Sequence, residues 1–398
     1  MEKLDIFTLK NNLKVALIDT NTGFLSFHLR GFVGSNFENS NELGAAHLLE
    51  HLLISQNNKK LLQKNAEIYG FSFRDTTLFH LKVLEQDKEL ALNFISDLFR
   101  PLDLYPELLN SNKNLVINEL RQILDNPERL IGKIHTFNLM YPQTRLAKFN
   151  FGDEPDILKL DDQMLNNYHS TFYIPSNFGL VICGNIKNIK KDINKLLNMP
   201  ATQVPTALPK FIPNEKFVAQ SLKNPNLSKV YVKIDWPSNK ISEKERFSTQ
   251  VLAVLLNKAL VDNLRSKGIV YNITTNLISE YTFGVFGIYF DTTPENLNKC
   301  LLEIKKTIKN LDLGKFSDVK DFITTRAIFN SDSIVNRGEF YSRTLLYDIK
   351  HTYIKEIQQY KDVTLKDLEI EYDRLQNIKA KITGIGNIDV KELFEFDK

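Results

Sequence analysis

Apolar residues recur along this chain with two different periods, and the switches between them mark out its elements. Over Lys14 to Asp19, Phe24 to Arg30 and Thr76 to Leu84 the pattern is the period of two expected of strands. Over Asp87 to Leu98, Glu107 to Leu124 and Phe247 to Arg265 apolar positions return every three or four residues, as on helices with a buried stripe. Strand hairpins mixed with long helices, rather than strict strand-helix-strand alternation, predict an α+β fold.

Four prolines, Pro200, Pro205, Pro209 and Pro213, interrupt every periodic pattern and mark a linker over 200–213 between a first domain (1–199) and a second (214–398). The two sides echo each other. An apolar strand ends in Gly184-Asn185-Ile186 in the first half and in Gly386-Asn387-Ile388 in the second, each followed by a helix. A helix carrying a tyrosine, Tyr168 or Tyr372, precedes each strand. That correspondence points to an old internal duplication.

One helical stretch breaks the apolar rule. His47, Glu50 and His51 stand at i, i+3 and i+4, on one face. Around them lie Ala45, Ala46, Leu48, Leu49, Leu52, Leu53 and Ile54. Two imidazoles and a carboxylate among leucines are costly unless something pairs with them. A divalent metal does so, with His47 and His51 as ligands and Glu50 as general base for water. The order H-x-x-E-H is the inverse of the commoner H-E-x-x-H zinc motif. A catalytic zinc usually takes three protein ligands, and Glu119 is the candidate for the third. It sits among Leu115, Val116, Leu120, Ile123 and Leu124, which recur at helical spacing, so the expectation is a carboxylate projecting from a buried stripe. The remaining histidines, His28, His80, His135, His169 and His351, lack partners at ligand spacing and read as structural or surface residues.

Composition narrows the function classes. Apolar residues at 42% and charged residues at 25% are those of an ordinary globular protein. A formal net charge of +3 over 398 residues gives no support to nucleic-acid binding. Two cysteines, Cys183 and Cys300, cannot build a disulfide framework and read as buried thiols. No run approaches the length of a membrane span, and the first residues carry neither a secretory apolar core nor an Arg/Ser-rich transit pattern. The expected location is cytoplasmic.

The chain resembles the insulinase/pitrilysin-type zinc peptidases, which include the mitochondrial processing peptidases and their bacterial relatives. Gly34-Ser35, Glu38, Gly44 and His47-Leu-Leu-Glu-His51 resemble the family's approach to its zinc helix. Asn118-Glu119-Leu120-Arg121 with Asp125-Asn126-Pro127 is similar to the segment that supplies the third ligand, and Tyr173-Ile174-Pro175-Ser176-Asn177 to a segment leading into a strand. Leu264-Arg265-Ser266-Lys267-Gly268-Ile269-Val270-Tyr271 resembles the segment from which an Arg and a Tyr reach the substrate backbone.

The resemblance implies two homologous α/β-roll domains, each a mostly antiparallel sheet packed with helices, enclosing a chamber. It implies one Zn²⁺ per chain held by His47, His51 and Glu119, catalysis by Glu50 with Arg265 and Tyr271, and an edge strand over Gly70 to Thr77 that binds extended peptide. The helix equivalent to the zinc helix in the second half, Phe247 to Arg265, carries no His, so that half holds no metal. Three features depart from the family. The interval from His51 to Glu119 is short, Arg265 and Tyr271 are one position closer than in many relatives, and Asn112 stands where many carry a second glutamate.

The expected activity is that of a zinc-dependent endopeptidase acting on short or unfolded peptides, with neither nucleic acid nor membrane as partner. Relatives of this size imply a dimer, either a homodimer or a heterodimer with a related chain. The competing reading is a non-catalytic or partner-dependent subunit, against which stands the intact H-x-x-E-H motif.

Overall fold

The computed structural model describes residues 4–133, 135–200, 207–347 and 352–397. Pro205, the side chain of His135 and the whole of His351 lie outside the described residues. The chain forms an α+β fold of two compact units, each with one sheet and its helices.

The first sheet has β1 (Leu4–Thr8), β2 (Lys14–Asp19), β3 (Phe24–Gly31), β4 (Glu67–Ser72), β5 (Thr77–Leu84) and β6 (Phe178–Gly184) in the order β1-β2-β6-β3-β5-β4. The second has β7 (Val218–Lys223), β8 (Val230–Pro237), β9 (Asn272–Ser279), β10 (Gly284–Thr292) and β11 (Lys381–Gly386) in the order β7-β11-β8-β10-β9.

Apart from β1, the two sheets have one topology. In each, the first strand pairs in parallel with the last, β2 with β6 and β7 with β11. All the other pairings are antiparallel. The repeated glycines sit at equivalent points. Gly184 and Gly386 end the last strand of each sheet with φ +139° and +140°, values that side chains rarely adopt. A Cβ at either would stand within 2.7 Å of a backbone carbonyl, that of Phe24 or Lys229, at the start of the neighbouring strand. The echo between the halves is therefore a matched corner in two copies of one topology.

Each sheet buries an apolar face. Leu25, Phe27 and Leu29 of β3 and Phe79 and Leu81 of β5 are fully buried on one side, where the helix Lys88–Asp97 packs. Val232, Ile234, Ile288 and Phe290 do the same in the second sheet, under the helices Arg246–Leu260 and Leu297–Lys309. Burial of a side chain of this size stabilises by roughly 1.5–3 kcal/mol, so these faces dominate the energetics.

The opposite faces are mixed, in the first sheet His28 and Arg30 beside an apolar patch of Ala16, Ile18, Val181 and Cys183 that packs on Ile334 and Tyr341, and each is covered by a segment from the other half of the sequence. Residues Ile328–Lys355 belong to the first unit and Arg121–Phe149 to the second, a departure from the boundary expected at 199 and 214. The helix Ile334–Leu346 lies across β2, β6 and β3. Buried Arg30 anchors it by donating to Glu339, to Ser342 Oγ (3.1 Å) and, just before β5, to Thr76 Oγ1 (3.0 Å). In the second unit the helices Pro127–Lys133 and His135–Met140 lie on β8 and β11.

Three described histidines are built into this framework. His28 and His80 stack at 4.4 Å, and each lies within 3.0 Å of Ser26 Oγ. His169 bonds through Nε2 to the Leu98 carbonyl at 2.9 Å, and its ring stacks on Tyr173. Burial lowers the His169 pKa to about 4 and pushes His28 down in the same direction, helped by the charges of His80 and Arg30. A depressed histidine pKa gives stability that is fully present above the unfolded value near 6.5 and is lost as pH falls towards the folded value. Between pH 7 and 5 the His169 contribution is about 2 kcal/mol. Thermal unfolding at the two pH values should show a smaller loss for His169→Gln than for the parent, and equal losses would remove His169 as the cause.

Candidate metal centre

The helix Ala45–Asn57 drives Leu48, Leu49, Leu52 and Leu53 into the core, which fixes its adjoining face. That face presents His47, Glu50 and His51. The start of the helix is held by Glu38, whose buried carboxylate accepts from the backbone N–H groups of Gly44 and Ala46, both at 3.0 Å. A carboxylate there satisfies open donors and complements the positive end of the helix dipole. His47 is further fixed by Phe151, whose ring stacks on it at 4.1 Å.

A second helix, Pro106–Leu124, supplies Glu119. Its buried stripe is not the expected one. Asn112, Val116, Ile117, Leu120 and Ile123 face inward, whereas Leu115 and Leu124 are about half exposed. Glu119 therefore stands at the margin of the stripe, 47% exposed, and leans over the first helix. Apolar residues occur around most of this helix, so the sequence alone misplaces its buried face.

The geometry fits a tetrahedral metal. Glu119 Oε2 lies 3.5 Å from His47 Nε2 and 3.6 Å from His51 Nε2, and the two Nε2 atoms are 3.2 Å apart. Neighbouring ligands in a tetrahedral zinc site stand about 3.3 Å apart by the usual zinc–nitrogen and zinc–oxygen bond lengths.

Glu50 shares the cluster, with a ligand atom within 4.8 Å of those of both histidines, but it is held differently. Its Oε2 lies 3.1 Å from Ser72 Oγ on β4, and its other oxygen rests against Gly70. A Cβ at Gly70 would come within 2.1 Å of that oxygen, so only glycine leaves room for the carboxylate.

The two carboxylates have opposite proton affinities. Burial raises the Glu50 pKa, against the lowering influence of His47, His51 and Ser72. Hydrogen bonds to His47 and His51 hold Glu119 well below the usual carboxylate range. For His51, burial lowers the pKa, but the hydrogen bond and charge of Glu119 and the charge of Glu50 outweigh it and leave it raised.

Asn112, in the place of a possible second glutamate, is buried and structurally committed. It accepts from Ser55 Oγ at 2.9 Å and donates to the Leu108 carbonyl at 2.8 Å. Arg265 and Tyr271 belong to the second unit. Arg265 is exposed at the end of the π-helical turn Val261–Arg265, which extends the helix Arg246–Leu260. Tyr271 precedes β9, is exposed, and lies under the Lys229 ammonium at 4.3 Å. The edge strand expected over Gly70 to Thr77 is instead β4, Glu67–Ser72, with a turn leading into β5; sequence reasoning did not set Gly70 and Ser72 against Glu50, and it missed Phe151. None lies at a spacing that links it to the motif.

Two family patterns match the chain. Residues 14–147 match the insulinase pattern (peptidase family M16), and residues 159–320 match the peptidase M16 inactive domain. The chain is 24% identical over 327 residues to an uncharacterized zinc protease of Rickettsia bellii, covering 78% of each. It is 23% identical over 215 residues to a probable mitochondrial-processing peptidase subunit beta of Arabidopsis thaliana, covering 50% of this chain and 40% of that one. The crystal structure of a protease from Helicobacter pylori superposes with a TM-score of 0.85 at 18% identity, covering 97% of this chain and 100% of that one, a likeness of fold.

Replacement of His47, His51 or Glu119 by alanine should each lower zinc affinity by more than about tenfold, read by metal analysis of protein dialysed against limiting zinc. One tightly held zinc per chain in Glu119→Ala would remove Glu119 from the ligand set and leave Glu50 as the carboxylate to test.

Proposed function

We propose, for a chain that belongs to the insulinase family (peptidase family M16), that it is a zinc-dependent endopeptidase acting on short or unfolded peptides. The observation that carries this reading is the triangle of His47 Nε2, His51 Nε2 and Glu119 Oε2 with the buried Glu50 carboxylate beside it. Those three residues would hold the zinc. A zinc ion bound there supplies Lewis acidity, which makes water a stronger acid and a peptide carbonyl a better electrophile.

The residues of the chain do the rest. Glu50, with its raised proton affinity, accepts a proton from the attacking water and passes it to the departing amine. Ser72 holds the Glu50 carboxylate in place. β4 ends its sheet, with Gly70 and Ser72 against Glu50, so an extended peptide that adds to its open edge passes the general base. Arg265 and Tyr271 orient the substrate and donate to the developing oxyanion. Catalysis takes place in a chamber, which excludes folded proteins.

Glu50→Gln should retain zinc while hydrolysis of a quenched-fluorescent peptide falls by at least about a hundredfold, since only the proton carrier is lost. Tyr271→Phe should lower kcat by about a hundredfold, the cost of one lost oxyanion donor, with no loss of thermal stability. Parental turnover in Glu50→Gln refutes the mechanism, and parental turnover in Tyr271→Phe returns that residue to packing.

Both the motif and the Arg265/Tyr271 segment are in one polypeptide, which favours a homodimer over a heterodimer with a degenerate relative. Light scattering should give twice the 46.0 kDa chain mass. A monomer without peptidase activity refutes the homodimer, and activity restored by a related chain lacking H-x-x-E-H establishes the heterodimer.

A further inference from the structure

We infer that an aromatic strip on the exposed face of β4 selects the substrate, favouring peptides with large apolar or aromatic side chains at two alternate positions beside the cleaved bond. This rests on the peptidase reading and on addition of substrate to β4.

Side chains of β4 alternate between two faces. Gly70 and Ser72 face Glu50. Tyr69 and Phe71, with Phe73 just past the strand, face the other way and are 47%, 45% and 38% exposed. Their rings form one continuous surface. Tyr69 to Phe71 and Phe71 to Phe73 are each 6.4 Å between centroids, with the planes tilted by 23° and 24°. His80 extends the strip at 6.0 Å from Tyr69, and the Arg30 guanidinium lies 5.3 Å from the Phe73 centroid at the other end.

The helix Ile334–Leu346 covers this face of the sheet over β2, β6 and β3, and the strip is exposed beyond it. Edge strands ordinarily carry charge or proline to discourage pairing. β4 carries charge only at its first residue, Glu67, and then exposes Tyr69 and Phe71 in line with Phe73, a surface that gains from being covered by apolar groups.

A peptide added to β4 continues the sheet, so its side chains alternate with the same period as those of the strand. Side chains of one parity fall on the Gly70 and Ser72 side, over Glu50. Those of the other parity fall beside Tyr69 and Phe71. Residues two apart in a strand are separated by about 6.6 Å, which matches the 6.4 Å between the rings. Two alternate side chains therefore meet two rings, and aromatic partners gain the most from that contact.

The test uses two quenched-fluorescent peptides that differ only at two alternate positions near the scissile bond, Phe in one and Ala in the other. For the parent, kcat/KM should be at least about fivefold higher for the Phe peptide. Tyr69→Thr and Phe71→Thr, which keep a β-forming residue at an exposed site, should bring the ratio towards one, with thermal unfolding confirming that both are folded. An unchanged ratio overturns the proposal. So does a Phe71→Thr variant that alters the mass in solution while the ratio holds, since the strip would then be a contact between copies. Failure of the peptidase reading is separable. If the parent hydrolyses neither peptide, fluorescence anisotropy on Glu50→Gln still decides. Tighter binding of the Phe peptide, abolished by adding Phe71→Thr, supports the strip, and equal affinity overturns it.

Discussion

Ionisable groups buried among leucines must have their charge matched, and the first unit is arranged around that requirement. His47 and Glu50 are almost fully buried and His51 mostly so. Leaving such groups unpaired would cost several kcal/mol, a large part of the net stability of a domain. The matching carboxylate, Glu119, comes from a helix more than sixty residues further along the chain, so the position of that helix is dictated by the site. The same pair of helices is joined again by the Ser55–Asn112 hydrogen bond. That second tie lies about one turn beyond His51 on one helix and two turns before Glu119 on the other. Asn112 thus holds the two helices in register, a role a longer charged glutamate would not fill in the same buried space.

In the second unit the buried face of the equivalent helix carries no ionisable group. The sheet of that unit repeats the first apart from β1, and the helix Arg246–Leu260 occupies the position of Ala45–Asn57, between the second and third strands of the repeat. Where the first helix carries its polar triad, this one buries Val251, Leu252, Leu255 and Leu256 in a continuous apolar core. At this one position the first copy carries buried ionisable groups and the second an apolar surface.

What was legible in the sequence follows the range of the interactions. The strands Lys14–Asp19 and Phe24–Gly31 and the ends of the principal helices follow local periodicity, and they fall within a residue or two of their expected limits. The spacing of His47, Glu50 and His51 is also local. The exchange of Arg121–Phe149 and Ile328–Lys355 between the units was not legible. An amphipathic helix shows that it has a partner but not which sheet the partner belongs to, and the Arg30–Glu339 contact spans 309 positions. The aromatic face of β4 was missed for a related reason. Which face of alternating Tyr, Gly, Phe, Ser and Phe turns outward is set by Glu50, beside which only glycine and a small hydroxyl residue fit.

The same logic of environment separates the two carboxylates of the site. They are the same chemical group within a few ångströms of the same two histidines, yet they differ in what surrounds them. Glu119 reaches in from a half-exposed margin, keeps contact with water, and spends its negative charge on both imidazoles, so its proton affinity falls. Glu50 sits behind Gly70 and beneath Ser72, where burial penalises the charge more than the histidines reward it, so its proton affinity rises. A group that readily stays ionised suits the holding of a cation. A group whose proton affinity is raised is the better acceptor of a proton from water. Exchanging the two roles would need exchanged surroundings, with Glu119 buried and Glu50 opened to solvent. The proposed assignment of Glu119 as ligand and Glu50 as general base therefore rests on packing as much as on the order of residues in the motif.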